Sequence, residues 1–129
     1  MKEPVWLDET DVYTFHQEML AMFGGLSGLR DEGLLQSALS RPQHLFHYGK
    51  PSLFELAAEY AFGIVKNHPF LDGNKRAGFM SAALFIEANG WSFGASEEEV
   101  VAHTRALAAG EIGAEEYAAW LKASCSKRR

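Results

Sequence analysis

The sequence predicts an all-α fold: a helical bundle around one buried helix at 74–88, with at most a small β-ribbon near 43–51. Three observations carry this. Segment 74–88 is apolar almost all the way round (Ala77, Phe79, Met80, Ala82, Ala83, Leu84, Phe85, Ile86), as suits a helix enclosed by others. Elsewhere apolar residues recur at three- and four-residue spacing in segments opened by Asp or Ser. Finally, 47% of the 129 residues are apolar, and no repeat, low-complexity tract or linker interrupts them. A single domain over 1–129 is expected.

The elements follow in order. Asp8 is placed to cap a helix at 9–22 that turns Val12, Phe15, Met19 and Met22 to one side, and Gly24-Gly25 ends it. Gly28-Leu29-Arg30-Asp31 reads as a turn, with Asp31 capping a short helix at 32–40. Arg41-Pro42 should stop that helix, because proline restricts the residue before it and has no N–H. Residues 43–51 are the least helical stretch. Leu45, His47 and Gly49 alternate with Phe46 and Tyr48, which suits a short ribbon or a plain connecting loop carrying two surface histidines. A His44/His47 metal site is disfavoured, since no carboxylate or thiol lies close in sequence.

Ser52 with Glu55 forms a capping box for a helix to residue 66, with Leu53, Leu56, Ala57, Tyr60, Ala61, Ile64 and Val65 inward. Asn89-Gly90 closes the helix at 74–88, and Trp91-Ser92-Phe93 reads as a short extended piece. A second box, Ser96 with Glu99, opens a helix at 97–108. Gly110-Glu111-Ile112-Gly113 turns the chain into a last helix, 114–123, where Tyr117, Trp120 and Leu121 pack. His16 and His103 lie in amphipathic helices and read as structural or surface residues rather than ligands.

Composition excludes several classes. A formal charge of −5 argues against direct nucleic-acid binding, and Lys127-Arg128-Arg129 reads as a solvated tail. The single cysteine, Cys125, leaves no internal disulfide and no cysteine-rich zinc site. The N-terminal stretch lacks the apolar core of a signal peptide, and no apolar run approaches the ~18 residues that span a bilayer. A cytoplasmic protein with no membrane partner is expected.

The chemistry concentrates in His68-Pro69-Phe70-Leu71-Asp72-Gly73-Asn74-Lys75-Arg76. Asn74 begins the buried helix, whose first-turn N–H groups and dipole favour an anion. Gly73 lets a ligand approach the backbone, and Lys75 and Arg76 add two cations, the arginine able to hold a phosphate by paired hydrogen bonds. Cations in a first turn are unfavourable by roughly 0.3–1 kcal/mol each unless an anion joins them. Asp72 suits Mg²⁺ held jointly with phosphate oxygens. His68 is the natural proton acceptor from an attacking hydroxyl.

This stretch resembles the signature of the Fic/Doc family, His-x-Phe-x-(Asp/Glu)-(Gly/Ala)-Asn-(Gly/Lys)-Arg, at every specified position. Lys75 stands where adenylylating Fic enzymes usually have glycine, and Phe79 where many carry a second arginine; both departures resemble the Doc branch. Residues 24–31 followed by Leu34-Leu35 and Ala38-Leu39 are also similar to the N-terminal half of Doc proteins. The resemblance implies a toxin that transfers the γ-phosphate of ATP, with Mg²⁺, to a Ser or Thr hydroxyl, elongation factor Tu being the family's best-known target. It implies catalytic roles for His68, Asp72, Asn74, Lys75 and Arg76, and phosphate contacts by Gly73, Asn74, Lys75 and Arg76. It places a target-docking flap at 43–51. It also implies a Phd-like antitoxin, since the nearest match to the self-inhibitory motif of Fic enzymes, Thr14 to Glu18, is followed by Met19. Adenylyl transfer and a non-catalytic binding role are the alternatives. Lys66 has no assigned role.

Overall fold

Residues 2–128 are described by a computed structural model; Met1 and Arg129, ends of the N-terminal stretch and basic tail, lie outside the described residues. Among the described residues six helices and one ribbon follow in order: α1 (Glu9–Phe23), α2 (Glu32–Tyr48), α3 (Leu53–Asn67), α4 (Asn74–Ala88), β1 (Trp91–Phe93), α5 (Glu97–Ala109), α6 (Ala114–Ala123) and β2 (Cys125–Lys127). Local chemistry sets most boundaries. Asp8 and Asp11 cap α1 reciprocally, as do Ser52 with Glu55 on α3 and Ser96 with Glu99 on α5, while Asp31 accepts from Leu34 N at the start of α2. No helix among the described residues is long and apolar enough to cross a membrane.

The centre of the core is the pair α3 and α4. Phe54, Leu56, Ala57, Ala58, Tyr60, Ala61, Ile64 and Val65 of α3 are all buried, as are Ala77, Ala82, Phe85 and Ile86 of α4. The two helices approach closely because their facing residues are small. A Cβ on Gly78 would lie 2.8 Å from Val65 Cγ1 and 3.1 Å from the Ala61 carbonyl oxygen. α2, α5 and α6 pack on α3, and α1 and β1 on α4.

Two expectations are corrected. The ribbon is not at 43–51: α2 runs through Pro42 to Tyr48. Leu35, Ala38, Leu39 and Pro42 are buried, and Leu45 and Phe46 continue the same stripe against the core. An interior proline costs about 3 kcal/mol, but fully burying one large apolar side chain returns about 1.5–3 kcal/mol. Packing of this stripe outweighs the local break. The ribbon instead joins β1 to β2, antiparallel, with Trp91 opposite Lys127, Ser92 opposite Ser126 and Phe93 opposite Cys125. The backbone through Arg128 is therefore paired, while the side chains of Lys127 and Arg128 remain exposed as expected of a solvated tail, and Arg128 N donates to the Gly90 carbonyl at 3.0 Å. What holds it is aromatic: Phe93 meets Phe79 at 5.3 Å and Trp120 at 5.6 Å, and Trp91 meets Phe54 at 5.1 Å.

Candidate active site

The nine-residue motif spans the short connection between α3 and α4 and the first turn of α4, and neighbouring elements hold it at several points. α3 ends on His68, whose φ of 50° makes it the one non-glycine residue in the left-handed region among the described residues. Its N–H donates to Ile64 O at 3.1 Å, and its carbonyl accepts from Arg30 Nε at 2.7 Å. Arg30 Nη2 also donates to Asn67 O at 2.8 Å, so one guanidinium satisfies two carbonyls at the negative end of α3. Backbone pairing completes the support: Arg30 N donates to Pro69 O at 2.6 Å and Leu71 N to Gly28 O at 3.1 Å, around a bridge between Leu29 and Phe70.

Asn74 is buried and spans the loop from inside. Its Oδ1 accepts from Phe70 N and its Nδ2 donates to Phe70 O, each at 3.0 Å. These two bonds settle which end of the amide is which. Its Nδ2 also lies 3.4 Å from His68 Nδ1, a hydrogen bond when that ring nitrogen is unprotonated. The Asn74 side chain thus shapes the loop, while its backbone N–H belongs to the first turn of α4.

Asp72 is held at both carboxylate oxygens, Oδ1 by Gly73 N at 2.8 Å and Oδ2 by Leu26 N at 3.1 Å. A carboxylate oxygen with one N–H retains a lone pair, so both can still meet a cation. Gly73 has φ 76°, a conformation that disfavours any other residue, and a Cβ there would fall 2.6 Å from Met19 Cε, the movable end of that side chain. α4 starts with no side-chain cap and no acidic residue in its first turn, whereas α1, α2, α3 and α5 have both. Lys75 and Arg76 are exposed, and neither forms an ion pair among the described residues. The Arg76 guanidinium instead lies 4.2 Å over the Phe23 ring.

These groups line one open pocket of about 340 Å³: Met19, Gly24, His68, Leu71, Asp72, Gly73, Asn74, Lys75 and Arg76. All six motif residues expected to act there are brought together. Asp72 is the pocket's one carboxylate, and among the described residues no group of three or more His, Cys, Asp or Glu gathers around a metal position. That donor set suits Mg²⁺ shared with phosphate oxygens and water, not a cage made by protein alone. A second cavity of about 200 Å³ shares Lys75 and Arg76 and adds Phe79, Val100, Val101, Thr104 and Arg105. Lys66 points elsewhere, its Nζ donating to Ala108 O at the end of α5.

Sequence reasoning missed two supports, Arg30 and His16. In the sequence Arg30 shows only as part of a turn. His16 is completely buried in α1 and reaches the Asp72 carbonyl from Nε2 at 2.9 Å. The segment beside Asp72 is 24–28, from the loop after α1, and not 43–51.

The sequence profile described as the Fic/DOC family matches residues 6–86, well over half of the chain and nearly all of α1 to α4. The chain is similar to a protein named Toxin Doc from Mycolicibacterium smegmatis, 39% identical over 88 residues, covering 66% of this chain and 65% of that one. It is similar also to Protein kinase doc of Escherichia phage P1, 33% identical over 81 residues, covering 62% and 64%. It spans just under two thirds of the length of each.

Proposed function

The chain belongs to the Fic/DOC family, and from that premise we propose that it is the toxin of a toxin–antitoxin pair, acting in the bacterial cytoplasm as a protein kinase. It transfers the γ-phosphate of ATP to a Ser or Thr hydroxyl of a target protein. One observation carries this reading: an exposed imidazole, a single carboxylate, an uncapped helix start and two cations without carboxylate partners among the described residues share one pocket.

His68 takes the proton of the acceptor hydroxyl, a role worth about 10²–10⁴-fold in rate. To accept it at Nε2, the ring carries its resident hydrogen on Nδ1, and the 3.4 Å contact with Asn74 opens. Asp72 would hold Mg²⁺, which when bound would neutralise charge on the phosphates. The first-turn N–H groups of α4, with Lys75 and Arg76, stabilise charge on the transferred group. Phosphoryl transfer is favoured over adenylyl transfer by the name of the phage relative, by Lys75, and by Phe79, which packs against Phe93 and supplies no cation.

Elongation factor Tu is the proposed target. A target segment would dock along residues 24–28, where Leu26 is exposed beside Asp72, placing its hydroxyl before His68. A Phd-like antitoxin would cover the apolar groove of about 280 Å³ between α1, α4 and α5, lined by Phe15, Met19, Met22, Phe23, Phe79 and Met80 and bordered by Arg76.

The test is transfer from ATP labelled at either the α- or the γ-phosphate, in bacterial lysate with Mg²⁺. Label from the γ-position alone, on a band identified as elongation factor Tu, is expected. Label from the α-position would replace the kinase with an adenylyltransferase, and no label from either would end the catalytic reading.

A further inference from the structure

We propose that His16 is a positioning residue for the phosphate- and metal-binding loop: from inside α1 it locks the peptide unit between Asp72 and Gly73 in one orientation. The proposal rests on the reading of Asp72 just given, but the contact itself does not.

The imidazole is completely buried. Its ring stacks on Phe70 at 3.8 Å and 13°, and Nε2 lies 2.9 Å from the Asp72 carbonyl oxygen. A carbonyl only accepts, so Nε2 is the donor. Nδ1 is buried with no partner among the described residues. A side chain present only to fill this space would be apolar, because a buried polar atom without a partner costs stability. The histidine therefore earns its place by the bond its other nitrogen makes.

That bond has leverage because of what shares its peptide plane. The Asp72 carbonyl and the Gly73 N–H belong to the same rigid unit and point in opposite directions. His16 holds the carbonyl end; the N–H at the other end holds Asp72 Oδ1 at 2.8 Å. Gly73, without a Cβ and at positive φ, offers little resistance to a flip of that unit. If the unit turned over, the carboxylate would lose one of its two backbone anchors and keep only Leu26 N. Met19, one turn along α1 from His16, closes the space behind Gly73. So α1, which contributes no motif residue, sets the direction of the one carboxylate in the pocket.

His16→Gln and His16→Leu separate this role from packing. Glutamine carries an amide nitrogen near the position of Nε2, whereas leucine fills the space and donates nothing. Three quantities are read: amide exchange of Gly73 by NMR, Mg·ATP binding by calorimetry, and the melting temperature. His16→Leu should remain folded, with a melting temperature near wild type because removal of the unsatisfied Nδ1 offsets loss of the bond to the Asp72 carbonyl. Its Gly73 amide should exchange roughly tenfold faster, and Mg·ATP should bind roughly tenfold more weakly, the lower end for loss of a residue that orients a metal ligand. His16→Gln should restore both. Unchanged Gly73 exchange in a folded leucine variant overturns the proposal, as does a folded glutamine variant that exchanges as fast as leucine. If leucine does not fold, His16→Asn, too short to reach the carbonyl, replaces it under the same criteria. Asp72→Asn in the wild-type background keeps the two questions apart: unaltered Mg·ATP binding there would remove the metal role of Asp72, while the exchange result would still decide the role of His16.

Discussion

Arg30 holds His68 by its carbonyl, Nε donating at 2.7 Å, in the place where α3 ends and the imidazole is presented to the pocket. The same guanidinium takes the Asn67 carbonyl, so the left-handed turn at His68 is clamped from outside the motif. Arg30→Ala should therefore lower the transfer rate about tenfold while Mg·ATP affinity stays near wild type, a split that marks loss of orientation. Stability should fall by about 1–2 kcal/mol, less than two charge-assisted bonds would give in full burial. Single-turnover kinetics beside denaturant unfolding would check both, and a rate equal to wild type would leave Arg30 a plain structural cap.

Strain and chemistry can be separated at His68. The side chain is exposed, so replacing it removes little packing, but the backbone sits at φ 50°. His68→Ala and His68→Gly should both lose transfer by about 10²-fold or more. The glycine variant should nevertheless be the more stable of the two by about 1 kcal/mol, since only glycine enters the left-handed region without steric cost. Equal unfolding midpoints would mean that the turn stores no such cost.

Arg76 has two opposing effects on folding. Stacking over Phe23 contributes about 0.5–1 kcal/mol, and a cation at a helix start costs about 0.3–1 kcal/mol. Arg76→Ala should change the melting temperature very little while weakening Mg·ATP binding by about 1.5–3 kcal/mol, the size of a lost charged hydrogen-bond set. A large drop in melting temperature with binding intact would make this arginine structural.

Alkali offers a test of the core. Burial pushes the Tyr60 hydroxyl up to about 12, against a smaller lowering by its bond to Leu7, and burial raises Tyr117 well above its ordinary range against the opposing bond to Thr104. In the unfolded chain both ionise near 10. The folded-state advantage is thus complete below pH 10 and is lost as pH rises through 10 toward 12. Melting temperature should decline over that range, and more gently in Tyr117→Phe. That variant should also be about 1–3 kcal/mol less stable at neutral pH, because buried Thr104 loses its 2.8 Å partner. The same alkaline slope in both proteins would place the titration elsewhere.

What the sequence made legible was local or contiguous. Asp8, Ser52 and Ser96 mark helix starts because each cap closes within three residues, and the pocket's motif groups lie within one nine-residue stretch. What stayed hidden depends on distant partners. Pro42 looked like a stop because its local cost is visible, whereas the stripe from Leu35 to Phe46 gains its value only against α3 and the rest of the core. β1 and β2 are more than thirty residues apart and too short to announce their pairing. Arg30 and His16 reach the motif across 38 and 56 residues, and neither carries a nearby signal of where its side chain ends.

The near contact at Gly78 has a consequence for how this protein can be inactivated. Gly78 lies four residues, one helical turn, beyond Asn74, and faces Val65, three residues before His68. A single methyl group there acts as a wedge: it forces α4 from α3 at the root of the loop whose two ends those helices carry. The spacing between base and phosphate cradle is thus fixed by an absence of atoms, and loss of activity can arise one turn behind the pocket with every reactive group intact.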